Sequence, residues 1–270
     1  MNRIENVFNK LQRENRKALI PYVCCGYPSL EFTEKLVLKL ADCGADLIEL
    51  GVPYSDPVAD GPTIQRAAVK ALEEGVTLEQ IFSMASRLRE KTEIPLIVMT
   101  YFNTVYVKGI EQFIKMAATS GIDGLIIPDL PLEEADELKT TADKYGVDLI
   151  LLIAPTSTVE RIKKIGEASR GFLYCISVTG VTGARINVLT NLGEFLNNVR
   201  QETRLPLAVG FGISNPETAR LAACEADGII VGSALIEKIE ESMAQEKSTD
   251  KAIEAASHFT SSLRAAITVN

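Results

Sequence analysis

The chain has 270 residues, of which 46% are hydrophobic and 24% charged, and its formal net charge is −8. This composition is typical of a globular protein with a sizeable core, and the acidity argues against non-specific binding to nucleic acid or to an anionic membrane. The longest apolar run covers residues 149–155, far short of the ~20 residues that span a bilayer, and the first fifteen residues hold no signal-peptide core. We therefore expect a cytoplasmic protein with no nucleic-acid and no membrane partner.

The cysteine and histidine content narrows the possible chemistry. The five cysteines form no C-x-x-C pair, so we expect free, mostly buried thiols and no metal site. The only histidine, His258, lies close to the C-terminus. A catalytic triad, a Cys–His pair or a zinc site would all have to be built around this one residue. If the protein performs acid–base chemistry, we expect carboxylates to carry the protons.

Short apolar runs alternate with amphipathic stretches along the chain. Eight runs are rich in Ile, Val and Leu, and most are apolar on successive residues, which is typical of parallel strands buried on both faces. The predicted strands cover residues 18–24, 46–51, 95–101, 123–128, 147–153, 171–177, 205–211 and 227–232. Helices are predicted at 3–14, 30–43, twice within 61–91 with a break at 75–77, and at 110–119, 132–145, 159–168, 219–224 and 251–266.

Eight β-then-α units without a linker or low-complexity break predict an α/β fold. The expected architecture is a single (β/α)8 TIM barrel over residues 1–270, with an extra N-terminal helix. A doubly wound open sheet is the alternative. That fold usually shows a G-x-G-x-x-G turn after its first strand, where this chain reads Cys24-Cys25-Gly26-Tyr27-Pro28.

One acidic residue, Glu49, lies near the carboxyl end of its predicted strand, where barrel active sites form. Both faces of a barrel strand are dry and no predicted strand contains a cation, so burial should raise the pKa of Glu49 above its usual value of about 4.3. A carboxyl group of that kind suits a general acid. The alternative is a structural glutamate, bonded to a hydroxyl or to a lysine from a loop. The acidic residues at strand starts are instead predicted to be structural: Asp46, Asp123, Asp148 and Asp227.

The loop at residues 52–62 follows Glu49. It is longer than a usual βα connection and holds three prolines, so it is long yet stiffened. Asp60 precedes Gly61-Pro62 and could cap the next helix. Alternatively, it is a second carboxylate that faces Glu49 across a pocket. The spacing alone does not separate these two interpretations.

Glycine-bearing loops follow the last three predicted strands. Residues 178–185 hold two glycines among small polar neighbours, which fits either a mobile lid over a substrate or an idle surface loop. Gly210-Phe211-Gly212 and Gly232-Ser233 end the last two strands, and the second precedes a short helix. In this fold such loops form a recurrent phosphate site, because glycine admits backbone N–H groups to the phosphate beside a helix N-terminus. Alternatively, the glycines of each loop only form a tight turn. Two such loops together, however, favour a site for a small phosphorylated substrate.

Several segments together resemble the tryptophan synthase alpha subunit family. They are ELGVPYSDPVADGPTIQ at 49–65, PDLP at 128–131, SVTGVTG at 177–183 and VGFGI at 209–213. The resemblance covers essentially the whole chain. It implies a (β/α)8 barrel that cleaves indole-3-glycerol phosphate to indole and D-glyceraldehyde 3-phosphate by a retro-aldol reaction, as a lyase of tryptophan biosynthesis. It also implies no cofactor in this chain and an α2β2 complex, in which indole passes by a tunnel to a β subunit that holds pyridoxal phosphate.

The matching motifs imply a role for individual residues. Glu49 resembles the general acid/base that protonates indole C3 and assists loss of the glycerol hydroxyl proton. Asp60 resembles the carboxylate that holds the indole N–H, and Tyr174 a residue that positions Glu49. The implied phosphate ligands are Gly183, Gly212, Gly232 and Ser233, and the implied indole pocket is Tyr22, Ile126 and Phe211. Thr182 resembles a lid residue that closes onto Asp60, and Asp56 lies in a loop that faces the β subunit.

The chain departs from the expected pattern at Cys24-Cys25, where small or hydroxyl residues are expected. This departure leaves both carboxylates in place, so it bears on pocket packing or thiol sensitivity. Three other functions compete with the synthase subunit. Another phosphate-binding barrel enzyme would share the late glycines but would not require the segment at 49–65. A catalytically idle activator of a β subunit and a free-standing indole-producing lyase would share the whole scaffold.

Overall fold

The computed structural model describes residues 3–176, 192–210 and 212–268, so the loop predicted at 178–185 lies outside the described residues. Parallel β-strands form its centre. They are β1 (Ala18–Cys24), β2 (Ile48–Gly51), β3 (Leu96–Met99), β4 (Gly124–Ile126), β5 (Asp148–Ile150), β6 (Leu152–Ile153), β7 (Leu173–Cys175), β8 (Leu207–Val209) and β9 (Gly228–Val231). Every residue of β1 to β4, β8 and β9 is buried, as expected for parallel strands covered on both faces.

The first and last strands in the order of the sheet, β5 and β6, are consecutive in the chain. Its strand order is β5-β4-β3-β2-β1-β9-β8-β7-β6, and the neighbouring strands pair in parallel. Only Leu151 separates β5 from β6, so this segment pairs with β4 through its first half and with β7 through its second half. The fifth predicted strand is therefore two short strands, and the predicted (β/α)8 barrel is confirmed over the doubly wound sheet.

Helices surround the strands. They are α1 (Arg3–Arg13), α2 (Leu30–Asp42), α3 (Pro62–Glu73), α4 (Leu78–Arg89), α5 (Phe102–Lys108), α6 (Ile110–Thr119), α7 (Asp136–Tyr145), α8 (Val159–Ala168), α9 (Leu192–Glu202), α10 (Pro216–Glu225), α11 (Ser233–Glu246) and α12 (Thr249–Thr268). The extra N-terminal helix and the break between α3 and α4 are confirmed. None of these helices is long and apolar enough to cross a membrane.

Some helices differ from their predicted extents. Helices α5 and α9 were not predicted, and the segment expected to be one helix at 132–145 begins with a separate 3-10 turn, Leu132–Glu134. Helix α11 has 14 residues, although a short helix was expected there. Helix α10 begins three residues before its prediction because Asn215 caps it: its side chain accepts a hydrogen bond from the Thr218 N–H.

At the amino ends of the strands, three of the predicted structural aspartates share one arrangement. Each carboxylate accepts an N–H from a neighbouring strand segment and binds an arginine, which also donates to a carbonyl oxygen near the turn before the aspartate. The three sets are Asp46 with Leu19 and Arg264, Asp123 with Leu96 and Arg89, and Asp227 with Leu207 and Arg200. These contacts agree with the structural role predicted for the aspartates, because they join helices to strand starts.

Arg89 shows how much one of these arginines holds together. From α4 it donates to Asp123 Oδ2 at 2.8 Å and to the carbonyl oxygens of Gly121, Thr92 and Ile94 at 2.8, 2.9 and 3.0 Å. Its side chain is 14% exposed and that of Asp123 only 5%. A buried pair whose members satisfy several backbone groups is costly to break from one side.

We therefore expect Arg89→Ala to lower the free energy of unfolding by about 3 kcal/mol or more, because Asp123 and three carbonyl oxygens lose a donor. Urea unfolding followed by circular dichroism measures this loss. Arg87→Ala on the same helix is the control, since the Arg87 side chain is 48% exposed and its partner Glu34 keeps a second cation, Lys91. That control should cost at most about 1 kcal/mol. Equal losses in the two variants would contradict the role of Arg89.

Two fully buried threonines should respond oppositely to replacement by valine. Thr100 Oγ1 has no hydrogen-bond partner in the described part of the chain. Thr33 Oγ1 instead accepts from the Gly26 N–H and donates to the Ser29 carbonyl, both at 3.0 Å. Thr100→Val should raise the free energy of unfolding by about 1 kcal/mol and Thr33→Val should lower it by about 1–3 kcal/mol. Urea midpoints test the pair, and a shift of the same sign in both would refute the assignment.

Candidate active site

A cavity of about 520 Å³ opens at the carboxyl ends of the strands. Eight of the residues singled out from the sequence line it: Tyr22, Glu49, Asp60, Ile126, Tyr174, Gly212, Gly232 and Ser233. Asp56 does not line it and is exposed in the loop after β2. Thr182, Gly183 and Phe211 lie outside the described residues. The fold therefore brings residues from distant parts of the sequence to one pocket.

Glu49 is buried at the side of this cavity, in the middle of β2. It pairs in register with Tyr22 of β1 and Ile97 of β3, and it is 2% exposed. Its Oε2 atom has no hydrogen-bond partner among the described residues, so neither a hydroxyl nor a lysine satisfies that atom there. Burial raises the pKa of Glu49 to about 8, and the nearby negative charge of Asp60 adds to the rise. The predicted direction of the shift is confirmed, and the group is protonated at neutral pH.

Two tyrosines lie beside Glu49, each over a glycine of the neighbouring strand. A Cβ atom on Gly51 would overlap the Tyr22 ring, and one on Gly210 would overlap the Tyr174 ring. Burial, with smaller contributions from charges that include Glu49 and Asp60, raises the pKa of both phenols well above the ordinary value. Both hydroxyl groups therefore stay protonated and can act as hydrogen-bond donors.

The sequence did not identify Gly51 and Gly210 as positions that make room for a tyrosine, and Gly210 was named only within the turn predicted to bind phosphate. The sequence feature that could have identified them is a glycine at an inward position of a barrel strand, where a side chain would normally fill the core. Gly51 stands two residues after Glu49 and so shares its inward face. The tyrosine that uses the space lies on another strand, which the sequence alone does not reveal.

Asp60 lines the pocket just before α3 and does not cap that helix. The N-cap of α3 is Gly61, with no side-chain cap hydrogen bond, so the capping interpretation is wrong. Partial burial raises the pKa of Asp60, and a hydrogen bond with the Tyr101 hydroxyl opposes that rise. The same hydroxyl accepts the Ala59 N–H at 3.1 Å. Tyr101 therefore fixes the end of this loop against the end of β3.

Tyr101 was also missed by the sequence reasoning, although it is the last residue of the third predicted strand. A tyrosine at the carboxyl end of a barrel strand is a signal that could have identified it. Its ring stacks on that of Tyr54, with 5.0 Å between ring centroids. The loop after β2 thus contacts both the ring and the hydroxyl group of Tyr101.

The two glycine turns predicted to bind phosphate both line the cavity. Helix α11 begins at Ser233, and its N-cap, Gly232, provides no side-chain cap. The first N–H groups of a helix lack intrahelical acceptors and carry partial positive charge, so they suit an anion. Gly212 lines the same pocket and has a φ of +74°, a backbone conformation that favours glycine.

The Cys24-Cys25 pair fills the barrel wall next to the pocket and does not line it. Burial, with help from the charge of Asp60, raises the pKa of the Cys24 thiol to about 12, and burial raises that of Cys25 well above its ordinary value. Both are therefore neutral packing groups. All five cysteines are free and three are buried, as predicted. No group of three or more His, Cys, Asp or Glu side chains in the described ranges is placed to hold a metal ion.

The site thus combines a buried glutamate with a raised pKa, a second carboxylate and a helix N-terminus inside a (β/α)8 barrel, an arrangement typical of the barrel enzymes. The family model described as tryptophan synthase alpha chain matches residues 8–266. The chain therefore belongs to the tryptophan synthase alpha chain family and is a lyase of tryptophan biosynthesis, which confirms the resemblance seen in the sequence.

Similar proteins support this membership over nearly the full length. The chain is 52% identical over 239 residues to the tryptophan synthase alpha chain of Thermoanaerobacter pseudethanolicus, covering 88% of this chain and 91% of that relative. It is similar to the solved structure of tryptophan synthase subunit alpha from Legionella pneumophila, with a TM-score of 0.92, 38% identity and 99% of each chain covered. A solved chain of tryptophan synthase from M. tuberculosis gives a TM-score of 0.89 at 34% identity, with 100% of both chains covered.

The buried state of Glu49 should be measurable as a pH dependence of stability. The pKa is about 8 in the folded chain against an ordinary value of 4.5, so the folded state holds an extra proton between those values. The free energy of unfolding of the wild type should therefore fall as pH rises from 5 to 8. The glutamine in Glu49→Gln cannot titrate. The unfolding free energy of this variant minus that of the wild type should therefore increase by up to about 1.4 kcal/mol per pH unit across this window.

Urea unfolding of both proteins at pH 5, 6, 7 and 8 tests this expectation. Glu160→Gln, at an exposed position of α8, is the control and should keep a constant difference from the wild type. The unfolding free energies of Glu49→Gln and the wild type could instead differ by the same amount at every pH. That result would contradict a Glu49 carboxyl group that is buried and has no charge partner.

Proposed function

We propose that this pocket performs the retro-aldol cleavage of indole-3-glycerol phosphate to indole and D-glyceraldehyde 3-phosphate, with Glu49 as the general acid/base. The observation that carries this proposal is the burial of Glu49, which keeps a transferable proton on the carboxyl group at neutral pH. Membership of the tryptophan synthase alpha chain family supports the same reaction. The proposed catalytic unit is the whole chain, residues 1–270, as one barrel domain.

The cavity offers different surroundings to the two ends of this substrate. Gly232 and Ser233 at the start of α11 and Gly212 in the turn after β8 would bind the phosphate through backbone N–H groups, together with Gly183. Tyr22 and Ile126 would line the indole, together with Phe211. The cavity volume of about 520 Å³ lies within the range of small-molecule sites.

In the proposed reaction the Glu49 carboxyl group gives its proton to indole C3, which places positive charge on the ring. Asp60 accepts a hydrogen bond from the indole N–H and stabilises that charge. The bond between C3 and the glycerol carbon then breaks, and its electron pair returns to the ring. The adjacent glycerol hydroxyl becomes the aldehyde and its proton passes to the Glu49 carboxylate, which restores the acid. Tyr174 is the proposed positioning residue for Glu49.

We also propose that the chain works in an α2β2 complex with a tryptophan synthase β subunit, which holds the pyridoxal phosphate, while this chain uses no cofactor of its own. Exposed apolar side chains lie in the loops and helices that follow β2, β3 and β6. Val58, Tyr106, Val107 and Val159 are 81%, 69%, 77% and 57% exposed. Asp56 lies in the same loop as Val58. Exposed apolar groups in segments that follow the carboxyl ends of strands fit a partner that receives indole, and such a biosynthetic complex belongs in the cytoplasm.

Indole release from indole-3-glycerol phosphate tests the proposal, with the purified chain alone and with its cognate β subunit. We expect slow release alone, a steep rise with the β subunit, and a loss of at least 100-fold in Glu49→Gln, because general acid–base catalysis contributes roughly 10²–10⁴-fold. Binding of glycerol 3-phosphate to Glu49→Gln should be unchanged, since its subsite is at the other end of the cavity.

Three results would contradict the proposal in different ways. Substantial cleavage by Glu49→Gln would remove the role of Glu49. Fast release by the chain alone would identify a free-standing lyase. No release under either condition, with glycerol 3-phosphate still bound, would identify an idle activator of the β subunit.

A further inference from the structure

The charged side chains that line the cavity in the described ranges are all acidic. They are Glu49, Asp60 and Glu237, with no lysine, arginine or histidine among the described lining residues. A phosphate monoester carries almost two negative charges above its second pKa of about 6. A phosphorylated ligand placed there would rely on backbone N–H groups, with carboxyl groups nearby. Glu237 is the member of this set with no part in the proposed chemistry.

Glu237 lies next to the proposed phosphate subsite. It stands four residues after Ser233 on α11, so the two side chains share one face of the helix and are about 6 Å apart along its axis. Its Oε1 atom accepts a hydrogen bond from Thr63 Oγ1 at 3.2 Å. Thr63 is a buried residue at the start of α3, the helix that follows Asp60. This bond holds the Glu237 carboxylate at the wall of the cavity.

The charge of Glu237 is not cancelled by an ion pair with any residue in the described ranges. The nearest cation on α3 is Arg66, whose guanidinium donates to Glu240 at 3.0 Å and to Thr63 Oγ1 at 3.4 Å. Arg66 also interacts electrostatically with Glu237, so its single positive charge is shared between two carboxylates. A net negative charge remains at the wall, one helical turn from the N–H groups that would hold the phosphate.

We propose that Glu237 is a specificity-determining residue that lowers the affinity of this site for phosphorylated ligands. The inference rests on the proposed function, because it takes the phosphate subsite to be at the start of α11. Both the substrate and the aldehyde product carry the phosphate, so a site that bound it too tightly would hold the product and slow turnover. Repulsion from Glu237 opposes the attraction of the helix end and favours release.

The experiment is isothermal titration calorimetry with sn-glycerol 3-phosphate at pH 8 and about 20 mM ionic strength. Three full-length proteins are compared: the wild type, Glu237→Gln and Glu241→Gln. Gln keeps the size of Glu237 and can still accept from Thr63. Glu241, one turn further along α11, pairs at the surface with Lys238 at 2.6 Å. Its replacement removes the same charge from the same helix at a greater distance, so it is the matched control.

We expect Glu237→Gln to bind glycerol 3-phosphate about threefold to tenfold more tightly than the wild type, from Coulomb repulsion over roughly 8–10 Å near the surface. The gain should shrink at 0.5 M salt, where screening acts over about 4 Å. Glu241→Gln should change the affinity less than twofold. Indole, which is uncharged, should bind equally to all three proteins, which also shows that each is folded.

Several outcomes would overturn this inference. Equal binding of glycerol 3-phosphate by the wild type and Glu237→Gln would remove the role of Glu237 and leave the phosphate subsite intact. A gain that salt does not reduce, or that Glu241→Gln shares, would show that local charge is not the cause. The absence of binding by all three proteins would overturn the phosphate subsite itself, and this inference with it.

Discussion

The burial of one ionisable side chain, Glu49, inside the barrel constrains the rest of this structure. An isolated charge on that carboxyl group would be costly in a dry core, so the group keeps its proton, and its pKa of about 8 reflects that cost. The surrounding strands make room for this state without supplying a cation. Gly51 and Gly210 leave space for Tyr22 and Tyr174, whose neutral phenols occupy the core on either side. A larger residue at either glycine would displace a tyrosine from the wall of the cavity.

Several acidic residues differ in their ion pairing between the two ends of the barrel. At the amino ends of the strands, Asp46, Asp123 and Asp227 each bind an arginine and a backbone N–H, so their charges are fully used in joining helices to strands. At the carboxyl ends, Glu49 and Asp60 have no described ion pair. This contrast agrees with the general division of the fold into a stabilising face and a catalytic face. The energetic cost of unpaired carboxyl groups at one end is tolerated because the other end is tightly bonded.

The barrel could be predicted from the sequence because its strands are buried on both faces and read as continuous apolar runs. The split between β5 and β6 could not, because it depends on which neighbouring strand each half pairs with. Helix α5 is short and rich in valine and aromatic residues, which favour strands locally, so its helical state is set by tertiary contacts. Pattern and propensity therefore fix the order of the elements better than their ends.

The residues of the site also fall into those that could be predicted from the sequence and those that could not. Glu49 could be identified from its position alone, since a carboxylate near the carboxyl end of an apolar barrel strand lies where active sites form. Asp60 could not, because helix capping and pocket lining require the same spacing, and only the backbone at Gly61 separates them. Tyr101, Gly51 and Gly210 depend on contacts between different strands or loops, which a single sequence does not display. The resemblance to known alpha chains supplied roles that spacing left open, but not these supporting contacts.

The pairing of Glu49 with Asp60 explains why the two carboxyl groups can take different roles. Partial burial raises the pKa of Asp60, while its hydrogen bond with Tyr101 favours the charged form and opposes that rise. Its negative charge then raises the pKa of the deeper Glu49. The charge of Asp60 therefore favours the protonated state of Glu49 that its proposed role as an acid requires. Because Tyr101 also holds the Ala59 N–H, the position of the loop after β2 and the proton on Glu49 are parts of one electrostatic arrangement.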